Sequence, residues 1–197
     1  MTQTLTNGVT LRDEIDARLA GQTYPPANPA LLAETLDGIR DLIKDTEQVG
    51  FTAEVEQTIL TQLQDAQYGF DINKKIRFRS STNVEDSVQF VGAGLYDSYS
   101  GCLADELDGD VDGPSVCDPT KTSERGVFRA IRKVFASFYN DNAYYERLRY
   151  GVNEHDVGMA ILVHHSFPDD IELANGVAIQ RQEYDHTTVS YLSLIHI

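Results

Sequence analysis

The sequence predicts an α+β (mixed α/β) fold, in which a helical N-terminal region precedes a mixed or antiparallel sheet with packed helices. Three patterns predict it. Apolar residues have helical spacing up to position 70, apolar and basic residues alternate at 74–80, and strand-like segments fill the last third of the chain. We therefore expect a helical region at 1–70 and a second domain at 71–197.

The first seventy residues divide into three predicted helices. Leu11, Ile15 and Leu19 recur every four residues and therefore share one helix face. Asn28 is expected to cap a second helix that starts with Pro29. Thr52 is expected to cap a third helix, and Gly69 to end it. These helices show no chemically active pattern, and we expect them to form scaffold.

Later segments alternate between strand and helix patterns. In residues 74–80, Ile76 and Phe78 alternate with basic residues, which predicts a strand with one apolar and one basic face. A long helix is expected to start after the cap Ser123, to bend at residues 139–142 and to end at Gly151. Three strands are then predicted, at residues 157–165, 175–181 and 187–194. The first is apolar nearly throughout, as in a strand covered on both faces.

The charge balance excludes some classes of partner. Sixteen Lys and Arg against thirty-one Asp and Glu give a net charge of −15. This balance argues against nucleic-acid binding and against docking on an anionic membrane, because both need a basic surface. No secretion signal or membrane span is recognisable, so we expect a cytoplasmic protein. Cys102 and Cys117 are then expected to be free thiols, and a disulfide is the alternative.

The segment after the first predicted strand carries residue types suited to phosphate. A guanidinium binds phosphate oxygens in a bidentate manner, hydroxyls add donors, and carboxylates orient the guanidinium or meet a magnesium ion. Glycines let backbone N–H groups approach a polyphosphate. Spacing alone leaves an ordinary turn as the alternative. The candidate residues are Arg79, Ser80, Ser81, Glu85, Asp86, Gly92, Ala93 and Gly94.

This segment, RFRSSTNVEDSVQFVGAGLYDSY, resembles the V-R-S-S-x-x-x-E-D block and glycine loop of the phosphoenolpyruvate synthase and pyruvate phosphate dikinase family. Glucan, water dikinases share the pattern. The resemblance implies an ATP-grasp domain that binds ATP and Mg²⁺, with Arg79 as the catalytic phosphate contact. It places Ser80 and Ser81 in the small polar pair and Glu85 and Asp86 in the acidic pair. The residues Gly92, Ala93 and Gly94 fall in the loop that folds over the phosphates.

Two later stretches are similar to the same family. One is the helix VFRAIRKVFASFYNDNAYYERLR, and the other is the strand pair VGMAILVHHSFPDDIELANGVAI. In this alignment Val163, His164 and His165 lie near the hinge that contacts adenine. The resemblance also implies partners in the full-length protein, namely a phosphocarrier histidine domain and a pyruvate or phosphoenolpyruvate domain. In the mechanism that the resemblance implies, this histidine attacks ATP in line, and catalysis is mainly electrostatic.

The sequence also departs from the family pattern. The glycine-rich lysine segment K-G-x-N-L and the T-S-H phosphocarrier motif are not found, and the family's closing Glu, Gln and Arg would follow residue 181. We therefore expect that this chain does not complete phosphoryl transfer alone. Because it stops inside the last strand-like run, with the apolar tail YLSLIHI, we expect a truncated fragment whose last half-dozen residues are not native. The alternative function is a non-catalytic nucleotide-sensing or interaction module that kept the fold.

Three other patterns have ordinary explanations. Asp108, Asp110 and Asp112 alternate like the start of a calcium loop, but Pro119 stands where such a loop needs Glu, which favours a solvated insertion. Consecutive histidines at the end of a strand face opposite ways and favour packing or rim positions over a shared metal. Aromatic residues in the helix at 127–150 share one face, which favours a core stripe over a nucleic-acid surface.

Overall fold

We describe the fold from a computed structural model, in which the chain forms two compact units, residues 1–165 and 166–197. In the second unit, β4 (Gly176–Arg181) pairs antiparallel with β5 (Val189–Leu194), so both predicted strands are confirmed. No described helix is long and apolar enough to cross a membrane. The structure describes residues 4–84, 94–110, 112–167, 176–181 and 189–194.

The first unit begins with three capped helices, α1 (Leu11–Leu19), α2 (Pro29–Lys44) and α3 (Ala53–Leu63). The side chains of Asn28 and Thr52 accept backbone N–H bonds at the starts of α2 and α3, which confirms both predicted caps. The prediction that Gly69 ends the third helix is wrong. The helix stops at Leu63, and Gly69 adopts φ 64° in a later turn.

A three-stranded antiparallel sheet follows, in the order β2-β1-β3. Its strands are β1 (Lys75–Thr82), β2 (Ser98–Cys102) and β3 (Met159–His165). Ile76 and Phe78 of the central strand are buried against the following helices, as their alternation predicted. The combination of helices and an antiparallel sheet confirms the α+β class.

The long predicted helix is present in three parts, α5 (Val127–Ala136), a 3₁₀ turn (Ser137–Tyr139) and α6 (Asp141–Arg149). The bend and the final Gly151, at φ 62°, are therefore confirmed. The predicted start at Ser123 is wrong. Glu106, on the short helix α4 (Ala104–Leu107), accepts the Phe128 N–H at 3.1 Å, so a distant carboxylate caps α5 instead.

Two hydrophobic clusters form the core of the first unit. In the first, the buried face of α2 packs with aromatic residues of the 3₁₀ turn and α6, among them Phe138 and Tyr144. The second joins the inner face of the sheet to α5 through Phe78, Ile131 and Val134. Residues before and after position 70 thus share one core, while the division into domains at 70/71 stays a prediction.

The expectation that β3 is covered on both faces is wrong for the described residues. Leu162 is 59% exposed, because α5 covers only one face of the sheet and β3 is its outer described strand. A strand with seven mostly apolar residues therefore leaves part of its apolar surface in solvent.

The prediction of free thiols is also wrong. Cys102 and Cys117 form a disulfide, with their Cα atoms 5.8 Å apart. The acidic segment after β2 turns back on itself and brings Cys117 to the end of the strand. Cytosolic redox conditions predict free thiols on average, but they carry no information about such proximity.

Candidate functional site

The sheet face opposite α5 carries some of the residues that the sequence predicts to bind phosphate. Successive strand residues point to opposite faces, so the burial of Ile76 and Phe78 towards α5 places Arg77, Arg79 and Ser81 on the other side. Both Arg79 and Ser81 are exposed. We call this surface the open face, because Arg79, Ser81 and Leu162, which lie on it, are exposed.

The antiparallel register decides which predicted residues meet. Arg79 lies opposite Leu162 on β3 and Ser98 on β2, whereas Arg77 lies opposite His164 and Ser100. Directly opposed residues share a face, so these residues all belong to the open face. Arg77 and Leu162 are not among the site residues predicted from the sequence. The period-two pattern could have indicated Arg77, but finding Leu162 required the register of β3.

Three predicted residues lie on the other side of the sheet. Ser80 pairs with Ile161, and Val163 packs into the core cluster beneath α5. The ring of His165 lies 4.6 Å from that of Phe70, and its Nε2 atom lies 3.1 Å from the carbonyl oxygen of Tyr68. The pleat therefore separates these three residues from Arg79, Ser81 and His164.

The two arginines of the open face create a local excess of positive charge. Burial lowers the pKa of Arg77, and the neighbouring charge of Arg79 lowers it further. Arg77 donates to the Ser100 hydroxyl at 3.3 Å. Within the described ranges, neither guanidinium has a carboxylate oxygen within 4.0 Å. An anion placed over these two groups would meet unneutralised charge.

His164 presents an unused acceptor beside these arginines. Its Nδ1 atom lies 2.7 Å from the backbone carbonyl oxygen of His165. A carbonyl only accepts, so Nδ1 carries the proton, and Nε2 of the neutral ring is an acceptor. Nε2 is buried and has no hydrogen-bond partner among the residues that the structure places. A buried acceptor without a partner costs about 1–3 kcal/mol, which a donor from a ligand would offset.

Glu85, Asp86, Gly92 and Ala93 lie outside the described residues, but both flanks of this segment are anchored. Before it, the Asn83 side chain donates to the Asp156 carbonyl and accepts from the Gly158 N–H, at 2.9 and 3.0 Å. After it, the Leu95 carbonyl accepts from Asn140 at 3.2 Å, and the Asp97 N–H donates to Ser137 at 3.1 Å.

Gly94, the last residue of the predicted glycine turn, is exposed and has φ 80°, a conformation that favours glycine. It precedes the anchored residue Leu95 directly. The third position of the glycine turn therefore has a backbone conformation that glycine adopts without strain.

The acidic insertion differs from the calcium pattern that its sequence suggested. The carboxylates that converge are those of Asp105, Asp108 and Glu124, whose oxygens lie within 4.8 Å of one another. Both oxygens of Asp105 already accept backbone N–H bonds, from Val116 and Arg125, at 2.8 Å each. The buried Asp105 therefore organises the insertion that the disulfide closes.

Comparison with protein families gives a match that covers almost the entire chain. Residues 2–192 match the model of the pyruvate phosphate dikinase AMP/ATP-binding domain. No curated protein is significantly similar to the sequence. The matched range includes the open face, the flanks of the glycine segment and the helices α1 to α6. The chain belongs to the family of pyruvate phosphate dikinase AMP/ATP-binding domains.

Proposed function

We propose that this chain binds ATP together with Mg²⁺ across the open face, in an ATP-grasp arrangement. The observation that carries the proposal is the pair Arg77 and Arg79, two adjacent guanidiniums that no described carboxylate neutralises in a chain of net charge −15. Guanidinium–phosphate bonds are charge-assisted and bidentate, so this pair suits the polyphosphate. Ser81, on the same face, adds a neutral donor.

The adenine end of the nucleotide is proposed to lie towards His164 and Leu162. Leu162 offers an exposed apolar surface next to the arginines, on which a flat base can pack. The free acceptor at His164 Nε2 suits the exocyclic amine of adenine, which is a donor. Val163 and His165 would then support the hinge from the α5 side and make no direct contact with the base.

We propose that the segment of Glu85, Asp86, Gly92, Ala93 and Gly94 closes over the phosphates from its two anchored ends. Mg²⁺ in nucleotide sites is usually bound by one or two carboxylates together with phosphate oxygens, which suits Glu85 and Asp86. When bound, the metal neutralises charge that develops on the transferred phosphate.

Phosphoryl transfer itself requires an acceptor from outside this chain. We propose a dikinase-like phosphotransferase in the cytoplasm, in which a phosphocarrier histidine domain takes the phosphate and a pyruvate or phosphoenolpyruvate domain completes the reaction. In this scheme Arg79 orients the phosphates for in-line attack and offsets their charge, since catalysis of this type is mainly positioning and electrostatics. The chain alone is expected to bind the nucleotide without transferring it.

Calorimetric titration of Mg²⁺-ATP into the chain and into Arg79→Ala tests the phosphate assignment. The loss of a charge-assisted contact costs about 1.5–3 kcal/mol, so binding should weaken about ten- to a hundredfold. Lys75→Ala is the matched control, because Lys75 is an exposed cation on the same face of the same strand and should matter little. Equal affinities for the parent and Arg79→Ala would place the phosphates elsewhere.

The base assignment needs a separate measurement. In inosine triphosphate a carbonyl replaces the amine of adenine, so it cannot donate to His164 Nε2. We expect the parent to prefer ATP over inosine triphosphate and His164→Leu to lose most of this preference while Arg79 still binds phosphate. An unchanged preference in His164→Leu would contradict the adenine contact and leave the phosphate assignment intact.

A further inference from the structure

A cavity of about 580 Å³ lies on the α5 side of the sheet, opposite the open face. Its walls are mainly apolar side chains of α1, α2, α3 and α5 and of the segment that leads into β3. Its volume lies within the range of about 300–1,000 Å³ that is usual for small-molecule sites. The apolar lining includes Leu11, Ile43, Phe51, Val55, Phe135, Phe138 and Met159.

The helix α3 forms a loosely packed cover of this space. Leu63 is its only buried residue, and Val55, which lines the cavity, is 43% exposed. A neighbouring cavity of about 520 Å³ also contacts Phe51, Val55 and Phe135, so the apolar space continues along α3.

Two arginines line the same cavity without a carboxylate partner. Arg12 donates to the backbone carbonyl of Glu154 at 3.3 Å, but the Glu154 carboxylate is bound by Arg147 at 2.7 Å. Within the described part of the chain, neither Arg12 nor Arg132 has a carboxylate oxygen within 4.0 Å.

Arg132 is the more constrained of the two. Its guanidinium lies 5.0 Å from the centre of the Phe51 ring, and its Nε atom is buried without a partner among the described residues. Burial lowers its pKa, and the nearby charges of Glu106 and Glu56 oppose this shift. Glu106 itself accepts the Phe128 N–H at the start of α5, so its carboxylate is already engaged.

We propose that this cavity binds a small amphipathic carboxylate, with its apolar chain along α3 and its carboxylate at one of the two lining arginines, Arg12 or Arg132. An apolar body matches the walls, and a single carboxylate matches guanidinium donors that form no ion pair with a described carboxylate. A neutral alcohol would not supply the missing ion-pair partner, and an amine would be repelled by the guanidiniums. Because the cavity lies on the α5 side of the sheet, the proposal does not depend on nucleotide binding at the open face.

Methionine methyl NMR provides a direct test, because the chain has two methionines and one of them, Met159, lines the cavity. The full chain is labelled at the methionine methyls, Met159→Leu assigns the two signals, and octanoate is the probe. We expect octanoate to shift the Met159 signal saturably and to leave the Met1 signal in place. Octanol and octylamine at equal concentrations should bind at least tenfold more weakly.

Two variants examine the charge assignment independently. Of Arg12→Gln and Arg132→Gln, the variant that removes the arginine bound to the carboxylate should weaken octanoate binding about ten- to a hundredfold, as expected for one charge-assisted contact. Arg149→Gln, an exposed arginine of α6, is the matched control and should bind like the parent.

Several outcomes would overturn the proposal. These are an unmoved Met159 signal, equal binding of octanol, or full affinity in both cavity variants. Competition by Mg²⁺-ATP would also overturn it, since it would make the cavity part of the nucleotide site. If octanoate leaves the Met159 signal unmoved in a sample that still binds Mg²⁺-ATP, the carboxylate proposal fails and the nucleotide proposal stands.

Discussion

Arg147 is expected to be a main stabilising residue of this fold, and replacing it by methionine tests this. Its side chain is fully buried, yet it carries a charge. It binds both carboxylate oxygens of Glu154 at 2.7 and 3.2 Å and donates to the Phe138 carbonyl at 2.8 Å and to the Tyr96 hydroxyl at 3.3 Å. Its guanidinium also lies 3.9 Å from the centre of the Phe138 ring.

The expected cost follows from what Arg147→Met leaves behind. Removing one partner of a buried ion pair costs about 3–5 kcal/mol, because the other charge is stranded. Glu154 is 22% exposed and can partly rehydrate, but the Phe138 carbonyl loses its donor, which costs about 1–3 kcal/mol. We therefore expect the free energy of unfolding to fall by about 3–5 kcal/mol. In a chain of this size the melting temperature falls about 2–4 °C for each kcal/mol.

Guanidinium chloride denaturation of three variants measures this. Arg149→Met, two residues along the same helix, removes an exposed ion pair with Glu146 and should cost less than about 1 kcal/mol. The double variant Arg147→Met/Glu154→Gln should be more stable than Arg147→Met, since no charge is stranded. A loss below about 1 kcal/mol in Arg147→Met, or a double variant that is no more stable, would refute the reasoning.

Three further predictions concern stability. Gly101→Ala should destabilise the fold by about 1–3 kcal/mol, because the added Cβ would lie 2.8 Å from the backbone of α5. The control is Gly158→Ala, whose Cβ would meet no atom within 4 Å and should leave stability unchanged. Thermal melts compare the two variants. Reduction of the Cys102–Cys117 disulfide should lower the free energy of unfolding by about 3 kcal/mol, because it opens a loop of sequence separation 15. Thermal melts with and without dithiothreitol measure this loss, and a chain with both cysteines replaced by serine should not respond to dithiothreitol. Burial raises the pKa of Glu106 above its ordinary 4.5, so the folded chain binds the proton of this carboxyl group more tightly than the unfolded chain does. The free energy of unfolding should therefore fall as the pH rises from about 4.5 through the raised pKa. Denaturation at a series of pH values measures this dependence, and Glu106→Gln should lack it.

Much of the fold was predictable because local patterns determine it. Asn28 and Thr52 cap their helices through side chains within three residues of the N–H groups they bind. The alternation in β1 placed Ile76 and Phe78 in the core. The start of α5 was not predictable in this way, since its cap, Glu106, lies more than twenty residues earlier in the chain.

The candidate site was predictable in part. Arg79 and Ser81 lie exposed on one face, as phosphate ligands would need, but Ser80, Val163 and His165 face the other side of the sheet. A contiguous motif on a strand is always divided by the pleat, and the sequence does not indicate which half is covered. That depends on where α5 packs.

The sequence by itself determined the class of fold, the family and the strand that carries Arg79, because periodicity, caps and a short motif are local properties. Only the tertiary structure decided which residues meet: Arg77 with His164 across the sheet, Cys102 with Cys117, and Arg147 with the carbonyl of Phe138. Arg147 illustrates the reason. An arginine in a polar helix segment is expected at the surface. The burial of Arg147 is favourable because the folded chain places Glu154 and Tyr96, which lie outside α6, where they bind its guanidinium donors.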